Sequence, residues 1–284
     1  MSVIRNINSS PIFMIVTVCI FVAMMSCKHE EKKIIIISEP DWIDLTYAFD
    51  STTLYWPNNA TGFNHITDAN GITPSGFYYS SYSVCAPEHG GTHLDAPVHF
   101  AQGKLSVDAL PITSLSGDAV VIDVSDSALK NRDYLITTDD IKRWEKNNGS
   151  LNPNMIVLFR TGYGQFYPDR EKYFGTAEKG AGAIPHLHFP GISPECAKYL
   201  AEKKKIKAVG LDTPSMDYGQ STDFKTHQII CGYNIPGFEN VANLDLLPEK
   251  GIRIIALPMK IGGGSGAPLR IIASIERDLP ELNP

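Results

Sequence analysis

Residues 88–100 read EHGGTHLDAPVHF and place His89, His93, Asp95 and His99 at successive spacings of four, two and four. Imidazole nitrogens and a carboxylate oxygen, brought together, suit a divalent cation of the zinc or manganese type. Gly90, Gly91 and Pro97 argue against a long helix here, the glycines through backbone entropy and the proline through its missing N–H. A loop is the expected platform, with glycine and proline aiming the donors. Glu88 stands beside the first histidine, where an acidic neighbour orients a ligand from behind. The bland alternative is a polar loop with exposed histidines, which this density of donors disfavours.

Two other chemistries fail on the residues themselves. A phosphate loop would need a lysine after the glycines, and the acids present would repel the anion. No GxSxG elbow occurs in the chain, so a serine hydrolase of that design is excluded. The GGGSG run at 262–266 is read as a tight backbone passage after a strand rather than a phosphate cradle. Asp212, Ser215 and Asp217 lie in GLDTPSMD at the end of an apolar run, where ligands collect in α/β sheets, although a backbone-capping turn is the simpler reading. Trp56 and the aromatics Phe77, Tyr78 and Tyr79 are candidates to floor a flat substrate, with core packing as the alternative. His29 and His65 have no partners nearby and are read as surface residues.

The elements that must carry these groups follow from the apolar pattern. DAVVIDVS at 118–125, NMIVLFRTG at 154–162, KAVGLDTPS at 207–215 and IRIIALPMKI at 252–261 are continuous apolar runs with turn residues around them, as expected of strands buried on both faces. WIDLTYAF at 42–49 and the aromatic segment around FYYSSYSV at 77–84 read as further strands. Helices are expected over 138–147, with Thr and Asp at its start and Ile141 and Trp144 on one face, and after Ser193, with Pro194 in the first turn and lysines in the last. Strand and helix alternate, with antiparallel pieces near the start. The expectation is one α/β domain over 41–284, its sheets mixed parallel and antiparallel with flanking helices.

Length, 284 residues, allows one large domain, and a net charge of −6 without a basic stripe excludes nucleic acid as a partner. Arg5 precedes an apolar run over 12–25 that ends at Ser26–Cys27, too short for a membrane span and right for a signal-peptide core. The junction resembles the lipobox of bacterial lipoproteins. It implies a signal peptide over 1–26, an acylated Cys27, a polar tether over 27–40 containing KHEEKK, and attachment to the cell envelope at its periplasmic face or surface. Cys85, Cys196 and Cys231 remain in the folded part, allow at most one disulfide, and are each read as a small buried hydrophobe.

HGGTHLDAPVHF also fits, at every fixed position, the pattern HxGTHxDxPxHF of the cyclase family of metal-dependent hydrolases, which includes kynurenine formamidase and isatin hydrolase. LFRTGYG, LHFPGISPECAKYL, VGLDTPSMDYG, FENVANLDLLPEKG and PMKIGGGSGAPLRIIA follow in the family's order, and the wording is similar to that of the isatin hydrolase branch. The resemblance covers about 41–273 and implies a swivelling β/β/α-like fold. It further implies one metal on His89, His93 and Asp95, and a second that shares Asp95 and adds His227 and Glu239, which stand twelve positions apart. By the same resemblance His99 is the general base, and His188, which alternates with His186 as on an extended segment and matches the family wording, either lines the pocket or is a satisfied buried histidine.

The implied activity is hydrolysis of a small cyclic or acyl amide, isatin-like, with one or two Zn2+ or Mn2+ ions per chain and a homo-oligomeric assembly. Arylformamidase action on N-formylkynurenine is the alternative within enzymes. A noncatalytic metal- or solute-binding lipoprotein is the alternative outside them.

Overall fold

The apolar runs sort their side chains by strict alternation, and that decides the architecture. A computed structural model describes residues 41–59 and 61–275; the signal-peptide and tether readings, Cys27 and His29 lie outside the described residues. Strands β5 (Ser116–Asp123), β7 (Ile156–Arg160) and β9 (Ala208–Leu211) are parallel neighbours, as their two-sided burial requires. Ala119, Val121, Ile156, Leu158 and Ala208 enter one core, while Val120, Ile122, Val157, Phe159 and Val209 enter another.

The first core is the inside of a closed sheet. The strand order runs β1 (Asp41–Asp44), β12 (Gly266–Ile275), β11 (Ile252–Pro258), β5, β7, β9, β10 (Gly237–Glu239) and β4 (His93–Asp95), and β4 pairs again with β12. Seven strands therefore close a ring through β4, with β1 attached to the remaining length of β12. The second core lies between the parallel strands and the helices, which contribute Ile141, Trp144, Cys196, Leu200 and Ile230. These are the mixed sheets and flanking helices expected from the sequence.

Local chemistry sets the helix ends. The helix Thr138–Asn148 begins where the Thr137 N–H and hydroxyl both donate to Asp140, at 2.8 and 2.9 Å. The helix Pro194–Tyr199 begins where the Ser193 hydroxyl accepts from the Cys196 N–H.

Three expectations change. The first strand ends at Asp44 rather than continuing through 49, because β12 offers that edge to only one partner at a time and β4 takes the rest of it. The aromatic strand β3 (Tyr78–Cys85) is present but pairs with β2 (Asn64–Ile72) as a two-stranded arm. Phe77, Tyr78 and Tyr79 are therefore exposed rather than in a core or a substrate floor. Cys85, in the same arm, is exposed too, whereas Cys196 and Cys231 are buried, and all three thiols are free.

Candidate metal centre and active site

The closing strand β4 is also the centre of the motif. Leu94 points into the barrel, in the core that holds Phe238 and Ala267, so His93 and Asp95 must point to the opposite face. Register then chooses their neighbours: His93 stands opposite Glu239 of β10, and Asp95 stands between Gly237 and Gly266. A Cβ on Gly266 would come within 2.5 Å of the His89 ring, so the absence of a side chain there makes room for the first histidine. Gly91 adopts a left-handed φ of +55°, and its carbonyl accepts from His93 Nδ1 and from the Asn240 amide. The helix Lys225–Gly232 brings in His227, three residues before Ile230 and on the same buried face.

Hydrogen bonds fix where the imidazole protons are. His93 Nδ1 faces the Gly91 carbonyl at 2.9 Å and His227 Nδ1 faces Asp217 at 2.6 Å; both partners only accept, so both Nδ1 atoms carry the proton. In the neutral rings the opposite nitrogens then show lone pairs. His93 Nε2 points at Asp95 and Glu239, 3.3 and 3.4 Å away, and His227 Nε2 points at the same two carboxylates, 3.1 Å from each. His89 Nδ1 lies 2.7 Å from Asp95 Oδ1. Lone pairs of imidazole and carboxylate repel at such distances unless a positive charge lies among them. The donor set fits a divalent cation, and Asp95 is shared: Oδ1 faces His89 and His93 while Oδ2 faces His227.

Without a cation, the same cluster must hold protons. Burial opposes charge on His227, but the hydrogen bonds it donates to Asp217, Asp95 and Glu239 raise its pKa well above the usual range, and His93 is raised by Asp95 and Glu239 against the same penalty. Burial and the neighbouring Asp95 raise Glu239. Burial also works to raise Asp95, but His89 and the hydrogen bonds from its histidine neighbours hold it well below the ordinary carboxylate range.

His99 is brought in by the short turn Pro97–His99, started by proline at its first position. Its ring lies on that of His89, and burial pushes its pKa down to about 4, so it is neutral at pH 7. His89, His93, Asp95, His99, His227 and Glu239 line one cavity of about 310 Å3, together with the apolar Leu54, Trp56, Phe100, Phe174 and Phe224 and the polar Asn58, Asn59, Ser215 and Asn240. Trp56 meets Phe174, Phe189 and Phe224 edge-on, which fixes its indole as a wall.

The sequence-predicted residues thus separate. His89, His93, Asp95, His99, His227, Glu239 and Trp56 converge on the cavity; His188 does not line it. Leu187 and Phe189 take the buried side of their extended segment, so His188 faces outward and pairs with Asp133 at 2.9 Å. Asp212 fits the capping reading, since its carboxylate accepts from the Thr161 N–H and hydroxyl and from the Gly162 N–H. Asp217 does more than cap: it bonds the backbone of Thr226 and the ring of His227. Phe100, Phe174 and Phe224 were not anticipated in the pocket. Only Phe100, inside the motif, carried a signal that singled it out.

The chain resembles known proteins over most of its length. A family model described as putative cyclase matches residues 43–218. An isatin hydrolase of Roseibium aggregatum is 33% identical over 198 residues, covering 67% of this chain and 73% of that protein. A kynurenine formamidase of Salinibacter ruber is 30% identical over 239 residues, covering 84% and 98%. A solved isatin hydrolase bound to the product analogue thioisatinate superposes with a TM-score of 0.76 at 27% identity, over 95% of this chain and all of the other.

Proposed function

The chain belongs to the cyclase family of metal-dependent hydrolases, and from that premise we propose that it hydrolyses the carbon–nitrogen bond of a small amide whose ring is flat and apolar, isatin being the type. One observation carries the reading: nitrogens of three imidazoles converge on two buried carboxylates in a cavity lined by aromatic rings, beside a fourth histidine that burial keeps neutral.

Zn2+ or Mn2+, one or two ions per chain, is the cation that the donors suit; bound here, it polarises a carbonyl and lowers the pKa of water to around 7. His89, His93 and Asp95 would hold a first ion, and Asp95, His227 and Glu239 offer a second set. Trp56, Phe100 and Phe224 orient the substrate ring and exclude water from its faces. His99 takes the proton of the attacking water and delivers it to the leaving nitrogen, a task suited to a group that is neutral at pH 7.

Isatin is preferred over N-formylkynurenine because the walls present aromatic rings on several sides and no Lys or Arg lines the cavity to meet an amino-acid carboxylate. The decisive experiment is metal analysis of the purified protein together with an absorbance assay on both compounds. Metal with isatin turnover upholds the reading; turnover of N-formylkynurenine alone moves it to arylformamidase; metal without turnover of either moves it to a binding protein.

Two further parts of the reading concern where the protein sits and with what. Arg5, the apolar run over 12–25 and Ser26–Cys27 support export and acylation at Cys27, and among the described residues no helix is long and apolar enough to cross a membrane. The arm β2–β3 supports a homodimer. It exposes Ile66, Ile72, Tyr78, Tyr82 and Val84, and a lone two-stranded hairpin is marginal in water unless another surface covers it.

A further inference from the structure

The GGGSG run over 262–266 has no part in the proposed chemistry so far, yet it presses on the first ligand histidine. We propose that Ser265, held by Glu88, sets the tautomer of His89 and so keeps its Nδ1 free to accept a metal ion. The inference rests on the reading of His89 as a ligand.

The geometry points to one placement of the protons in the neutral ring. Glu88 Oε2 accepts from the Ser265 N–H at 2.9 Å and the Gly266 N–H at 3.2 Å, and it lies 2.7 Å from the Ser265 hydroxyl. A carboxylate that already accepts from two backbone donors takes the hydroxyl proton as well. A serine hydroxyl has one proton, so Ser265 Oγ can then only accept from its other neighbour, His89 Nε2, 2.8 Å away. Nε2 therefore carries the proton of the neutral ring, which leaves the Nδ1 lone pair for a cation seated between it and Asp95.

The glycines of the run explain how the loop comes close enough. A Cβ on Gly266 would lie 2.5 Å from the His89 ring, and one on Gly264 would lie 3.1 Å from the Glu88 carboxylate. The same bonds also close the loop to phosphate, since the backbone N–H groups that would cradle an anion already point at Glu88. His93 and His227 are oriented directly, by a carbonyl and a carboxylate, whereas the His89 orientation passes through a hydroxyl. That hydroxyl keeps the right polarity only while an acceptor stands behind it.

The test measures Zn2+ and Mn2+ affinity by competition with a chromophoric chelator, with the tautomer of His89 read from long-range proton–nitrogen NMR of the zinc-loaded protein. Ser265→Ala and Glu88→Ala should each weaken binding about 10–100-fold and remove the slowly exchanging His89 Nε2 proton. Ser265→Thr, which keeps the hydroxyl, and Glu88→Gln, which keeps an acceptor oxygen, should each restore affinity to within a few-fold of wild type. Ser265→Ala binding as tightly as wild type, or Glu88→Gln failing as Glu88→Ala does, overturns the inference while leaving the metal site intact. Failure of the wild-type protein to bind either ion overturns the metal reading and this inference with it.

Discussion

His99 lies flat against His89, ring centroids 3.8 Å apart and planes 18° from parallel, yet only His89 has its nitrogens engaged by Asp95 and Ser265. In the proposed reading, two imidazoles of one motif, in contact, divide ligation from proton transfer. Burial keeps the second neutral, which is the form a base needs.

That division predicts different losses. His99→Ala should keep its metal and lose about 10²–10⁴-fold in kcat, whereas His93→Ala should lose both metal and turnover. Metal analysis of the two proteins beside steady-state rates checks this. Full metal and full turnover in His93→Ala would refute the ligand assignment.

Metal loading should depend on pH with a definite sign. In the cation-free chain His227 and His93 hold their protons to higher pH than ordinary histidines, because the carboxylates outweigh the burial penalty. A cation must displace those protons, so affinity is fully developed only above the raised pKa values and falls as pH drops through them. Calorimetry in buffers of different ionisation heat should show proton release on binding that grows as pH is lowered from alkaline values. Binding with no proton release at neutral pH would contradict the assigned environment.

Phe224 holds a φ of +50°, in the left-handed region, at the start of the helix that carries His227. Such a conformation costs a bulky residue about 1–2 kcal/mol, and it puts the ring between Trp56 and Phe100. Phe224→Asn, which tolerates that backbone, should leave the unfolding midpoint near wild type while raising KM for an aromatic amide several-fold. A large loss of stability with unchanged KM would make the ring structural instead.

The arm predicts an assembly. Light scattering should report a dimer for the wild-type protein, and replacing Ile72 and Tyr78 together with Lys should shift it toward monomer while the barrel's thermal transition persists. A monomeric wild type would leave the arm's exposed apolar residues, among them Ile72 at 72% accessibility, without the proposed cover.

Much of this protein is determined by local residue order. Two-sided apolar runs give β5, β7 and β9, and the spacing within residues 88–100 assembles His89, His93, Asp95 and His99, because a strand's period of two and a proline turn act over only a few positions. The resemblance to a known family added His227 and Glu239. Only the tertiary structure decides what lies beyond local reach. Closing the ring at β4 sets Glu239 beside His93 across a strand pair and brings His227 to Asp95 from 132 positions away. It also brings the loop at Ser265 onto His89. His188 turns outward because Leu187 and Phe189 claim the buried side of their segment, and the aromatic strand pairs with β2 in an arm apart from the closed ring. Alternation says that two faces exist; competition among all the strands and rings decides which face is buried.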